Sequence, residues 1–184
     1  MTRYDLPESL TVAGRDYSVR WDFRAAMDIF AALNDPDLGD QERALVCLGI
    51  FYPDWEEIPP EDYGEALRQC FWFLNGGQDE TQQDKKPLRL VDWEKDFPYI
   101  AAPVNRVLGK DCRGGLLHWW TFLAAYFEIG DCTFAQIVRI RSLKAKGKRL
   151  DKSDQEWYRR NRDLVDLRQT YTQAEHDLLK EWGG

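Results

Sequence analysis

Long hydrophobic runs are missing from this 184-residue sequence. No apolar stretch reaches the ~18 residues that a membrane-crossing helix needs. The most apolar segment, "LLHWWTFLAAYFEI" at 116–129, is interrupted by His118 and ends on Glu128-Ile129. The opening "MTRYDLPESLTV" has no apolar core of a secretory leader, so no membrane partner is expected and the expected location is cytoplasmic. Cysteine is sparse. Cys47, Cys70, Cys112 and Cys132 form no CxxC pair and no secreted-domain framework, and are expected to be reduced, small buried apolar groups. Histidine is rarer still, with only His118 and His176. Zinc sites need Cys and His in tight, repeated spacing, and Cys112, His118 and Cys132 do not have it. Also missing are GxSxG, HExxH, a Walker lysine loop and a dinucleotide glycine fingerprint. The glycine pairs in "NGGQD" and "CRGGL" belong to turns, and no two carboxylates stand out as an acid–base pair. The expectation is a protein without cofactor or metal that is not an enzyme.

Basic charge is in the minority, and it is concentrated. The chain carries 25 Lys and Arg against 32 Asp and Glu, a net charge of −7. Residues 1–138 hold 13 of those basic side chains and 24 of the acidic ones, whereas 139–168 hold 11 basic and 5 acidic. A basic block of this kind can meet nucleic acid; the blander reading is an intramolecular or solvated charged face. The acidic whole argues against nonspecific nucleic-acid binding, so nucleic acid is not the expected partner.

What is present in quantity is aromatic surface, including eight tryptophans. "SLTVAGRDYSVRW" alternates on both sides of Ala13-Gly14 and predicts a β-hairpin. Asp22 is placed to cap a helix carrying Phe23, Ala26, Met27, Phe30 and Leu33 at helical spacing. A second helix from near Asp40 has Ala44, Leu45, Leu48 and Phe51 on one face. After the proline-rich "YPDWEEIPP", Asp62 and Glu65 have capping-box spacing ahead of a stripe of Tyr63, Ala66, Leu67, Cys70, Phe71 and Leu74, which Asn75-Gly76-Gly77 ends. The polar stretch near 76–88 reads as a loop. In "LVDWEKDFPYIAAPVNRVLG", Pro98 suits a first helical turn and Pro103 should kink or divide the helix. On the next helix Leu116, Trp119, Trp120, Leu123 and Phe127 share a face, with Phe122 and Tyr126 on another. A helix of Phe134, Ile137 and Val138 comes after it, with Arg139 and Arg141 off its inward face; Ser153 and Glu156 then have a second capping-box spacing. Trp157, Leu164, Tyr171 and Leu178 recur every seven residues and suggest a short, imperfect pairing seam.

The expected fold is therefore mainly α, a helical bundle with a short N-terminal β-hairpin. Residues 1–150 are read as a single domain and 151–184 as an amphipathic helical arm. A helix apolar nearly all round is central or covered on two sides, so "HWW" is most economically core, and the alternative is the wall of a partner groove. The candidate partner-binding residues are Trp72, Trp120, Phe122, Tyr126, Arg139, Arg141, Trp157, Leu164, Tyr171 and Leu178. The arm offers a route to a homo-oligomer.

Four landmarks in order, after the opening "LPESLTVAGRDYSVRWDFRAAMDI", carry a resemblance. They are "FWFLNGG", "LVDWEKDFPYIAA", "LHWWTFLAAYF" and "IVRIRSLKAKG". Over residues 6–155 the sequence resembles the bacteriophage gene-product-fifteen family, tail-module proteins of siphophages and prophages. That resemblance implies a tail assembly chaperone-like role in the host cytoplasm, with the tape measure protein or other tail proteins as partners. A structural virion or tail-completion component is the alternative it leaves, and a nucleic-acid-binding regulator using the basic block is the third reading.

Overall fold

The computed structural model describes residues 5–78 and 88–167. It is mainly α-helical, with one two-stranded hairpin at the N-terminus, as the sequence pattern predicts. Among the described residues no helix is long and apolar enough to cross a membrane. The described chain forms two compact units. The first contains residues 5–78 together with Leu116–Thr121; the second contains residues 88–115 and 122–167.

In the first unit β1 (Ser9–Val12) pairs antiparallel with β2 (Arg15–Ser18), Leu10 opposite Tyr17. Ala13 and Gly14 both have positive φ, 49° and 80°, the backbone that a two-residue hairpin turn of matching twist demands. Leu10, Val12 and Tyr17 point inward. The helix α1 (Phe23–Leu33) starts at Asp22, whose Oδ1 accepts the Arg24 amide at 3.1 Å. It buries Phe23, Ala25, Ala26 and Ile29, while Met27, Phe30 and Leu33 are only half-covered. The helix α2 (Asp40–Phe51) buries Cys47, Leu48 and Phe51; Leu45, expected on that face, is exposed, since it sits one position from Ala44 and turns away. Two 3₁₀ turns, Trp55–Glu57 and Pro60–Asp62, lead into α3 (Tyr63–Leu74). The capping box expected of Asp62 and Glu65 is not formed. Asp62 is already helical, so its side chain does not cap. The inward stripe of α3 is Ala66, Cys70, Phe73 and Leu74, and Phe73 is a large core residue that the predicted stripe omits.

In the second unit α4 (Trp93–Leu108) is capped by Asp92, which accepts the Lys95 amide at 3.1 Å. Pro98 lies well inside this helix rather than in its first turn, and Pro103 does not divide it. Each proline removes one N–H from the ladder, yet the helix and its buried face of Asp96, Ile100, Pro103 and Val104 continue through both. Gly109, with φ 68°, ends α4. The helix α5 (Trp119–Phe127) begins among the residues of the first unit and ends among those of the second. The helix α6 (Thr133–Ala145) buries Phe134, Ile137, Ile140 and Arg141. The helices α7 (Lys152–Arg160) and α8 (Arg162–Val165) come last, separated at Asn161. Asp151, not Ser153, caps α7, accepting the Asp154 amide at 2.8 Å.

Candidate docking surfaces

Each unit is organised by one dense polar–aromatic cluster. In the first, residues 116–121 lie beside the start of α1. The Phe23 amide donates to Leu117 O at 2.9 Å and the Trp119 amide to Trp21 O at 2.8 Å. Asp22 closes this arrangement, its Oδ2 accepting the Leu117 amide at 2.8 Å while Oδ1 caps α1. His118 is buried and uses both ring nitrogens. Nδ1 accepts the Trp120 amide at 3.1 Å, which leaves Nε2 to carry the proton and donate to Pro7 O at 3.0 Å. Trp21 stacks on the imidazole, and Phe73 meets it edge-on. Burial holds the His118 pKa below its ordinary value, against the opposing pull of Pro7 O and Glu8.

The paired tryptophans then finish α3. Trp119 Nε1 donates to Leu74 O at 2.9 Å and Trp120 Nε1 donates to Phe73 O at 2.8 Å. The last carbonyls of a helix have no partner within it, so two indoles here replace water. Gly76 and Gly77 both have positive φ, and the Gly77 amide bonds back to Trp72 O at 3.0 Å. A Cβ on Gly77 would lie 2.7 Å from the Trp120 ring. The "NGG" stop is therefore also the seat of an indole, and Trp72 meets Trp120 edge-on at 5.5 Å.

The second unit has Arg141 at its centre. All five of its N–H donors are used. Nε donates to Val165 O at 2.7 Å; one terminal nitrogen donates to Leu90 O and Asp96 Oδ2, the other to Asp96 Oδ1 and Leu164 O. The Asp92 amide also donates to Asp96 Oδ2, at 2.9 Å. One buried guanidinium thus ties the lead-in to α4, α6 and α8 together. The sequence pattern sets Arg141 off the inward face of α6, and the structure corrects this. The residue lies seven positions after Phe134, on the buried stripe, and the carboxylate on the buried stripe of α4 is what makes that tolerable. Nearby, buried Asp154 accepts from Gln136 and pairs with Arg139, and Asp166 accepts from Lys144, Tyr158 and Arg162.

The candidate partner-binding residues therefore fall in different places. Trp72 and Trp120 are brought together and remain partly exposed. Phe122 is fully buried, and Tyr126 is half-covered between Trp93 and Phe134, where burial pushes its phenol up to about 12. Arg141 lies inside the second unit; Arg139, Trp157 and Leu164 reach its surface to differing degrees. Tyr171 and Leu178 lie outside the described residues. The helix expected from Leu116 starts at Trp119 instead. Leu116 is left 73% exposed and Phe127 70% exposed, so neither belongs to the core face assigned to them.

Leu116 forms one side of an open groove of about 650 Å³ in the first unit, with Val19, Trp21, Ala25 and Ile50 as apolar walls and Arg20, Asp22 and Asp28 at its polar margin. Arg20 is anchored there by bonds to Gly49 O and Ile50 O, at 2.6 and 2.7 Å. Sequence reasoning missed this groove because its residues come from three separated segments. A second hollow of about 420 Å³, in the second unit, is lined by Tyr99, Pro103, Arg106 and Cys132 among others. Among the described residues no cluster of His, Cys, Asp and Glu could hold a metal ion.

The family model described as Bacteriophage Gp15 protein matches residues 3–167. The chain belongs to that family. No curated protein and no solved structure matches it. The matched span contains both clusters. The landmark segments of the sequence are their components: "FWFLNGG" supplies the α3 terminus, and "LHWWTFLAAYF" the histidine and the two indoles that close it. "LVDWEKDFPYIAA" supplies Asp96, and "IVRIRSLKAKG" supplies Arg141.

Proposed function

We propose that this bacteriophage protein is a tail assembly chaperone that binds an amphipathic helical segment of the tape measure protein in the host cytoplasm, and acts by binding rather than by catalysis. The observation that carries the reading is the groove beside Leu116. A leucine 73% exposed next to Trp21, Ala25 and Ile50 is an apolar surface that water covers poorly. Its volume lies in the range of recessed binding sites, and grooves of this kind take the apolar face of a helix through anchors three or four residues apart. Arg20 and Asp28 at the margin supply both charges for the polar flank of such a helix. Family membership supports a phage role, and the net charge of −7 would favour the solubility of a complex with an apolar client.

The alternative within the same family setting is a structural tail component. Quantitative proteomics of purified virions and of the infected-cell lysate separates the two. A chaperone is abundant in the lysate and missing from virions. Retention in virions at a fixed copy number per tail would overturn the chaperone reading in favour of the structural one.

A further inference from the structure

The second unit carries a cationic rim that its own acids do not neutralise. Between Arg139 and Arg162 five of its basic side chains are matched: Arg139 by Asp154, Arg141 by Asp96, Lys144 and Arg162 by Asp166, and Arg160 by Glu156. Lys146, Lys148, Arg149, Lys152 and Arg159 are all exposed, and none has an acidic partner among the described residues. They are close in the chain. Lys146 caps α6, Gly147 turns the backbone with φ 63°, and Lys148 and Arg149 occupy the loop whose end caps α7. Lys152 and Arg159 are seven residues apart on α7 and so share a face. Half-covered Trp157 lies within the same segment.

The opposite charge occurs in the first unit, in the two 3₁₀ turns before α3. Asp54, Glu56 and Glu61 are exposed and Asp62 is half-exposed, and none of the four has a cationic partner among the described residues. Only Glu57 is matched, by Arg15. This rim too contains a half-covered tryptophan, Trp55, flanked by exposed Pro53, Pro59 and Pro60.

We infer that the cationic rim is a docking surface for a second copy of this chain, engaging the acidic 54–62 rim of its neighbour head to tail. Charge complementarity selects the occupant. A second copy offers an unpaired acidic rim of comparable size and a tryptophan to bury, so the attraction is local to the two rims and acts against the net charge of −7 that each copy carries. Because the two rims are different surfaces, each contact leaves a basic rim open on one copy and an acidic rim on the other; these pair reciprocally in a closed dimer or ring, or continue as a filament. Charge fixes orientation and speeds encounter, so the association is steeply salt-sensitive. Self-association through these rims needs no tape measure client.

The test is sedimentation velocity on the full chain from about 1 to 100 μM, a range that brackets ordinary self-association constants. It is run at low salt and at about 1 M salt, where the Debye length shrinks to ~3 Å. Wild type is compared with a basic-rim variant (Lys146→Glu, Lys148→Glu, Arg149→Glu) and an acidic-rim variant (Asp54→Lys, Glu56→Lys, Glu61→Lys). The expected result is a concentration-dependent mass increase for wild type at low salt that is abolished at high salt. Each variant alone stays monomeric, and an equimolar mixture of the two regains the larger mass, because each supplies the rim that the other reversed. Recovery on mixing also excludes misfolding as the cause of the loss. A wild type monomeric throughout would overturn the proposal. So would a mass unchanged by both reversals, or an oligonucleotide bound by wild type and lost in the basic-rim variant without any change of self-association, which would make nucleic acid the occupant.

Discussion

At the scale of single residues, the fold depends on side chains that do two things at once. Trp119 is both a core volume and a helix terminator, being fully buried with its indole N–H on Leu74 O. Trp119→Ala should cost about 3–5 kcal/mol of stability. Trp119→Phe keeps most of the volume, leaves a buried carbonyl unmatched, and should cost about 1–3 kcal/mol. Chemical denaturation of the two variants checks the order, and a Trp119→Phe variant as stable as wild type would mean that the indole bond contributes nothing. His118 gives a pH signature. Its Nδ1 accepts an amide, so a second proton has no place in the fold, and the folded-state pKa is depressed. Above the unfolded value, near ~6.5, both states are neutral and nothing is lost. Below it the unfolded chain binds a proton that the folded chain resists, so stability falls with decreasing pH, by at most ~1.4 kcal/mol per pH unit from this group, until the lower folded pKa is reached. Asparagine can still accept the Trp120 amide but does not titrate. His118→Asn should therefore be less stable near neutrality and show a shallower loss between neutral pH and ~5. Parallel slopes for wild type and variant in pH-dependent urea melts would refute this.

At the scale of elements, the periodicities explain what was legible. The hairpin and the Asp22 cap are local, set by turn chemistry, and are found where the pattern puts them; the 3.6-residue repeat finds the helices but only part of each buried stripe, Phe23 and Ala26 in α1 and Ala66, Cys70 and Leu74 in α3. What escaped the sequence involves partners distant in the chain. Asp22 also holds Leu117, the two indoles close a helix that ended more than forty residues earlier, and Arg141 is stabilised by Asp96 from another element. A signal for the last of these did exist. Arg141 follows Phe134 by seven residues and Asp96 precedes Ile100 by four, so each lies on an apolar stripe where only a mate of opposite charge is tolerable. Asp96→Asn should destabilise the protein by about 3–5 kcal/mol, because it leaves the Arg141 charge buried without its counter-ion. Pairing Asp96→Asn with Arg141→Met should recover part of that loss. Additive losses in the double-mutant cycle would count against a coupled pair. Gly77 is a similar case at the end of α3. Gly77→Ala combines positive φ with a clash on the Trp120 ring, and should lower the melting temperature and redshift the tryptophan emission as the indoles open to water.

At the scale of the whole molecule, the two clusters give each unit a fixed internal geometry, and the surfaces left for partners are those not consumed in building it. Several candidate residues of the sequence are so consumed, Phe122 and Arg141 above all, whereas Leu116, which reads as core, is presented to solvent. The proposed chaperone role turns on that surface. Its most direct test is co-expression of the phage's own tape measure protein with the wild-type chain, with a Leu116→Asp variant, or with neither, measuring the soluble fraction of the tape measure protein and its co-purification. Leu116 is exposed, so the aspartate should leave the fold within about 0.5 kcal/mol of wild-type stability. The predicted result is a tape measure protein that is soluble and co-purifies with wild type, and that is largely insoluble with the variant or alone. Equal solubility in all three conditions, with no co-purification, would contradict the chaperone role.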